Sequence, residues 1–470
     1  MRRKGLTAAA VTVAGALLLA ACSSDGSGGS ASEDPDTSGG DSPNELTFMY
    51  RGSDADKAAY ETAIAAFEEE TGAEVTMIIT DADQYATKLQ AAIAGNKVPD
   101  VFYVEPGRIQ GYVYADVIAD LTEYVDQSVV DNLWDFGVDA YRFDKESGAR
   151  GQDGDPFYAL PKDVGPFGFG YNKALFDKYD LEYPSADEPL TFDQFLELAK
   201  ALTQDSDGDG ELDTWGTGLN VTWNSQAFIW GNGADWISED QKTVTVDTPE
   251  FAEALQWFAD LGLVEGVTPS AEQAQTLDTY QRWMAGEIGF FPVAPWDIAT
   301  YTALEEKDPE TFSYDVIPYP VANEGDDWST WIGSLGIAVS ENSANKELAA
   351  QLATYLSTDL EAQKTLAAGM IQIPTLKDYA LGEWIETDAP AAGWPENTKV
   401  FLEIAEEKGR PLPGTWTYTP EWYDNFWIGI ENVVDNGSQT AADYLAAKQP
   451  EMQSLLDQSW VSADQAKAAG

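Results

Sequence analysis

The chain has 470 residues, 44% of them apolar, enough for two domains of ordinary size with separate cores. Its 81 Asp and Glu against 26 Lys and Arg leave a formal net charge of -55; such a field repels phosphate backbones, no basic stripe overrides it, and nucleic acid is excluded as a partner. Histidine is absent, which removes Ser-His-Asp and Cys-His nucleophiles, His-ligated zinc and the usual general base near neutral pH, leaving carboxylate chemistry as the only enzymatic option.

The chain opens with a cationic "MRRKG", an apolar "LTAAAVTVAGALLLA" too short to span a bilayer comfortably, and "LAAC", small residues ending at Cys22. Residues 1–22 resemble a bacterial lipoprotein signal. The resemblance implies that Cys22, the sole cysteine, is acylated and holds the protein to the outer face of the cell membrane without spanning it. Residues 23–44, "SSDGSGGSASEDPDTSGGDSPN", offer nothing that packs and read as a flexible tether.

After the tether, "ELTFMY" alternates like a strand, "KAAYETAIAAFEEETG" has helical spacing and a terminal Gly, and "AEVTMII" returns to strand. The helix "YATKLQAAIAGN", the strand "PDVFYVE" and the helix "GRIQGYVYADVIADL" continue the alternation, which argues for an α/β domain with a largely parallel sheet. Further on, "TFDQFLELAKALT" opens on a Thr cap and runs straight into "DSDGDGELDTWG". There Asp205, Asp207, Asp209, Glu211 (by its carbonyl) and Asp213 occupy the odd positions of an EF-hand loop, and Gly210 supplies the turn. Position 12, which should be a bidentate Glu, is Gly216. A Trp-rich, charge-poor stretch follows, then the amphipathic helix "FAEALQWFADLGLVEG", the buried strand "GSLGIAVS" and the helical pair "NKELAAQLATYLSTDLEAQKTLAAG".

The stretches "PDVFYVEPGRIQGYVYADVIADLTEYV", "YALPKDVGPFGFGYNKALFDKYDLEYP", "YQRWMAGEIGFFPVAPWDI", "GSLGIAVSENSANKELAAQLATYLSTDLEAQ" and "NFWIGIENVVDNGSQTAADYL" are collinear behind the signal. In that order the chain resembles the family 1 extracellular solute-binding proteins of ABC importers, the group containing the maltose-binding proteins. The resemblance implies a periplasmic-binding-protein-like α/β fold, two discontinuous lobes around a hinged cleft: residues 45–164 with 333–385 as lobe 1, and 165–332 with 386–470 as lobe 2. It implies a monomer with no catalytic cofactor, which captures a sugar or oligosaccharide and delivers it to the transmembrane subunits of an ABC permease. It also implies that the acidic loop holds a structural calcium ion.

Sugars offer C–H patches that stack on aromatic rings and hydroxyl edges that seek planar polar groups. By position in the family pattern, Trp296 in "VAPWDI" is the first candidate platform, followed by Trp422 and Trp416 in "PGTWTYTPEWYD" and Trp223 in "NVTWNS". For the polar edge, strand ends nominate Tyr50, Arg51, Glu105 and Arg108, and the first lobe crossing nominates Asp163. Two alternatives stay open at this level: a surface glycosidase, whose carboxyl pair no spacing reveals, and the same fold binding a polyol, a glycerophosphodiester or a peptide.

Overall fold

Twelve strands build three sheets in the computed structural model, which describes residues 42–469 apart from 149 and 153. The lipoprotein signal, Cys22 and the tether up to residue 41 lie outside the described residues. Among those described, no helix is long and apolar enough to cross a membrane.

The first sheet contains β1 (Glu45–Arg51), β2 (Glu74–Thr80), β3 (Val101–Val104), β4 (Ala159–Pro161) and β11 (Gly336–Val339), ordered β2-β1-β3-β11-β4. Strands β1, β2 and β3 are parallel, joined by the helices Asp54–Thr71 and Ala82–Ala94 at the places their periodicity marks. The first helix starts in a capping box, Ser53 with Asp56, worth about 1 kcal/mol, and ends at Gly72 in the left-handed region. Strand β11 breaks the expected parallel pattern. It runs antiparallel to both β3 and β4, because the chain re-enters this sheet from the opposite lobe. The "GRIQGYVYADVIADL" segment is also shorter as a helix than expected: a 3-10 turn at Pro106–Arg108 leads into a helix over Ile109–Tyr114 only. The fully buried Asp100 ties the sheet together, its carboxylate accepting from Thr47 N–H (2.9 Å), Thr47 Oγ1 (3.0 Å) and Ser343 Oγ (2.6 Å).

The second sheet is β7 (Trp215–Thr217), β8 (Ile288–Val293), β6 (Gly168–Asn172) and β9 (Tyr314–Ile317), in that order. Its core is aromatic: Phe169 stacks on Phe290 at 5.3 Å, and Phe195, Phe228 and Trp257 extend the cluster onto the covering helices. A separate cluster beyond it, with Trp236, Phe251, Trp422 and Phe426, packs the helix Pro249–Leu263 against the C-terminal helices.

Between these sheets lies a third, small one: β12 (Gly409–Arg410), β10 (Thr330–Gly333) and β5 (Gly165–Pro166). Strand β5 joins β4 to β6 and β10 joins β9 to β11, so each carries the chain from one large sheet to the other. They pair antiparallel, Ile332 opposite Pro166 and Gly333 opposite Gly165. Two α/β lobes of discontinuous chain, hinged by short crossing strands, are the result.

Candidate functional site

The residue after β5, Phe167, is buried and anchored by its N–H to the Trp331 carbonyl (3.1 Å). Three indoles surround its ring, with centroids at 4.6 Å (Trp331), 5.3 Å (Trp296) and 6.0 Å (Trp223). Trp223 and Trp296 nevertheless expose 54% and 45% of their surface. Two half-bare tryptophans around one buried ring form the kind of apolar patch that marks a ligand site. Each indole is held by a different device. Trp223 sits in the first turn of the helix Val221–Gly231, whose cap Asn220 accepts from Thr222 N–H. Trp331 is on the crossing strand β10 itself. Trp296 is in a 3-10 turn, Pro295–Asp297, which caps the end of β8. The structure thus brings Trp296 and Trp223 together and adds Trp331 and Phe167, which sequence reasoning missed.

The turn that carries Trp296 has a counterpart in the first lobe. "VEPGRIQGY" (104–112) and "VAPWDIATY" (293–301) share Val, Pro, Ile and Tyr at identical spacing, each at a strand end. Their backbones agree as well: Arg108 has φ -96° and ψ -14°, Asp297 φ -96° and ψ -13°. Arg108 and Asp297 therefore occupy equivalent places, with opposite charge. Asp297 accepts from Tyr280 OH at 2.9 Å; burial pushes its carboxyl up to about 6, with the Tyr280 hydrogen bond pulling the other way. Arg108 is exposed, and its charge reaches Asp424, whose carboxyl is raised by burial and by Glu421 and drawn back by Arg108. Beside Arg108, Glu105 pairs with Arg51 at 3.4 Å, both partly open to solvent. Arg51, Glu105 and Arg108 thus form a polar group at the ends of β1 and β3.

Four nominated residues fall elsewhere. Tyr50 is 0% exposed, packed between Phe48 (5.0 Å) and Tyr60 (5.0 Å), because both faces of β1 are covered and Tyr50 lies under the helix Asp54–Thr71. Trp422 is also 0% exposed, with its indole N–H donated to Thr417 Oγ1 at 3.0 Å, so it is core. Asp163 works on the hinge: its Oδ1 accepts from Leu335 N–H (2.9 Å), its Oδ2 from Lys162 Nζ (2.9 Å), and its carbonyl from Ser334 Oγ (2.6 Å). Trp416 is half-buried under the Arg150 guanidinium, 5.1 Å from its ring centroid. It lines a cavity of about 450 Å³ with Phe136, Gln110 and Trp460 instead of joining the three-indole group.

Residues 51–364 match the bacterial extracellular solute-binding proteins, a span of more than half the chain. The chain belongs to this family. The diacetylchitobiose-binding protein of Streptomyces coelicolor is 25% identical over 88% of this solute-binding protein and 92% of its own length. An arabinooligosaccharide-binding protein of Halalkalibacterium halodurans is 23% identical over 65% of this chain and 66% of its own. The fold of this solute-binding protein is that of an ABC substrate-binding protein from Listeria monocytogenes solved with cycloalternan, at a TM-score of 0.71 and 23% identity, covering 88% of this chain and 99% of the other. The family and these relatives are binding proteins, so the chain is not an enzyme and the glycosidase alternative falls away.

The acidic loop of this solute-binding protein is closed by a bridge between Gln204 and Thr214. Asp205, Asp207 and Asp209 each turn a carboxylate oxygen inward, all within 4.8 Å of one another. Asp213 departs from the expected ligand set: it accepts from Ser206 N–H at 2.7 Å, and hydrogen bonds from Ser206 lower its carboxyl below the usual range. Glu211 is exposed and donates its N–H to Asp209 Oδ1 (2.9 Å). The missing twelfth ligand has a packing cause. A Cβ on Gly216 would meet the Ala199 carbonyl oxygen at 2.1 Å, so β7 can lie on the helix Phe192–Leu202 only with glycine there.

Proposed function

We propose that this protein captures a sugar or oligosaccharide outside the cell and passes it to an ABC permease. The observation that carries the reading is the half-exposed group of Trp223, Trp296 and Trp331 beside the crossing strands: indole faces suit the C–H patches of a pyranose, while Asp297 and the Arg51, Glu105 and Arg108 group of the other lobe suit its hydroxyls. The sugar-binding relatives support the same ligand class. Stacking on the indoles, then closure of residues 45–164 and 333–385 over residues 165–332 and 386–470, is the capture step. In this reading Cys22 carries the lipid anchor, and Asp205, Asp207 and Asp209 hold a calcium ion that braces the second lobe.

A thermal-shift screen with diacetylchitobiose, arabinotriose, maltotriose and their monosaccharides tests the ligand class, since a ligand at 100 times its Kd adds about 2.7 kcal/mol to the folded state. A flat response to all of them, with a shift from glycerophosphocholine or a peptide, would replace the sugar reading. Cys22→Ser should release the folded body from the membrane fraction; unchanged retention removes the anchor.

A further inference from the structure

The Trp296 ring meets the hinge at one glycine of a crossing strand. Gly165, in crossing strand β5, pairs with Gly333 in crossing strand β10. A Cβ built on Gly165 would stand 2.9 Å from Trp296 Cζ3 and 3.8 Å from Trp296 Cε3, with the Gly333 carbonyl oxygen next at an ordinary 3.7 Å. The Trp296 ring therefore lies directly on the α-carbon of the hinge strand. Trp331 repeats the arrangement one strand over, where a Cβ on Gly333 would stand 3.0 Å from Trp331 Cζ2. The two indoles stand 6.5 Å apart, both packed on Phe167, the residue that follows the Gly165–Pro166 strand.

From this contact we infer that Gly165 is a positioning residue: it seats the Trp296 ring on the hinge, so that ordering the ring against a sugar and closing the lobes are one coupled event. The inference rests on the reading of the indoles as the sugar platform. Lobe rotation changes the backbone of β5 and β10, the two strands that cross together between the sheets. A ring resting on that backbone tilts with it, and a ring pinned by a sugar restricts it. Glycine is required here for the close approach. The Gly165 backbone itself accepts alanine, for its φ is outside the left-handed region.

The test is a double-mutant cycle on the full chain, with Gly165→Ala, Trp296→Ala and the pair, titrated with whichever of diacetylchitobiose, arabinotriose or maltotriose shifts the wild-type melt most. Gly165→Ala should weaken binding about tenfold in the wild-type background, by lifting a ring whose full removal costs more, and less than twofold once Trp296 is gone. Small-angle scattering should show the ligand-induced compaction of wild type reduced in Gly165→Ala. Equal losses in both backgrounds would overturn the coupling, because Gly165 would then act independently of Trp296. The double variant also guards against misfolding, since removing the ring leaves room for the new methyl group. If none of the three sugars binds the wild type, the sugar reading fails but the seat is still decided. In ligand-free protein carrying 5-fluorotryptophan, the Trp296 resonance, assigned by its loss in Trp296→Phe, should move in Gly165→Ala while the resonance of buried Trp422 stays. An unmoved Trp296 resonance overturns the seat.

Discussion

Trp296 and Trp422 share a side chain but not a fate, and their contrast is the first prediction. Trp296, nearly half exposed, should lose its function without its fold: Trp296→Ala keeps the ligand-free melting temperature near native and weakens sugar binding roughly thirtyfold, the equivalent of about 2 kcal/mol. Trp422→Ala opens a cavity in the core and should cost about 3 to 5 kcal/mol of stability, with binding intact in the fraction that stays folded. Paired melts and titrations check both; an early-melting Trp296→Ala that binds normally would reverse the assignment. Position in the family pattern nominated both residues, whereas the burial of Trp422 is set by helices far away in the chain. Asp297 was invisible for a related reason: its raised carboxyl comes from burial, which no local pattern records. That shift gives the second prediction. With a folded value near 6, above the unfolded one, Asp297 holds its proton longer in the folded state, so its stabilising contribution is complete below about pH 4 and is lost as pH rises through 6. Asp297→Asn should therefore match wild type near pH 4 and exceed it by up to about 3 kcal/mol at pH 7.5 in urea unfolding. Parallel pH profiles for the two proteins would refute the assignment.

At the scale of elements, helices with strong periodicity and a cap were legible from the sequence: Phe192–Leu202 begins at the Thr191 cap, where the Gln194 side chain completes a capping box. The helix Val221–Gly231 was not, since it is buried on nearly every side and carries Asn224, Ser225 and Gln226 inside, leaving no polar face to set a period. Nor could composition show that β11 runs antiparallel to its neighbours, a consequence of the chain's route through the hinge. The acidic loop shows how one element constrains another. Its ligand pattern stops short because Gly216 must let β7 approach Ala199. Gly216→Ala should accordingly destabilise the second lobe by about 1 to 3 kcal/mol or more, since the obstructing atoms are the backbone of Ala199. Gly216→Glu, which would complete the EF-hand pattern, should be worse still. Three converging carboxylates repel one another without a cation, so chelation should lower the wild-type melting temperature and Asp207→Ala should abolish the response. A wild-type melting curve indifferent to both chelator and calcium would reduce the loop to a solvated turn.

For the whole molecule, the decisive quantity is the balance between open and closed lobes, and Arg150 is placed to set it. It lies in the chain between β3 and β4, within the first lobe. Its Nη2 donates to the Pro106 carbonyl (2.6 Å) in that lobe, while its Nη1 donates to the Thr415 carbonyl (2.7 Å). Thr415 follows Gly414, which packs against Pro420 and Tyr423, and Tyr423 belongs to the cluster of the second lobe. The guanidinium also covers Trp416, so one side chain tied to Pro106 reaches residues 415–416 with a charge-assisted hydrogen bond and a cation–π contact. In the proposed capture step residues 45–164 part from residues 386–470 on opening, which would break the bond to Thr415, so its energy would favour the closed form. Arg150→Ala removes all three interactions and should enlarge the radius of gyration of the ligand-free protein in small-angle scattering. Affinity falls with the closed fraction, since the apparent Kd is the intrinsic one divided by the competent population. A tenfold drop in that population therefore weakens binding about tenfold, even though Arg150 lies outside the three-indole group. Arg150→Lys should recover little, because an ammonium lacks the planar fork that reaches two carbonyls while lying flat on an indole. If Arg150→Ala leaves both the scattering profile and the sugar affinity unchanged, the lobes close without this latch, and the hinge strands alone determine the resting shape.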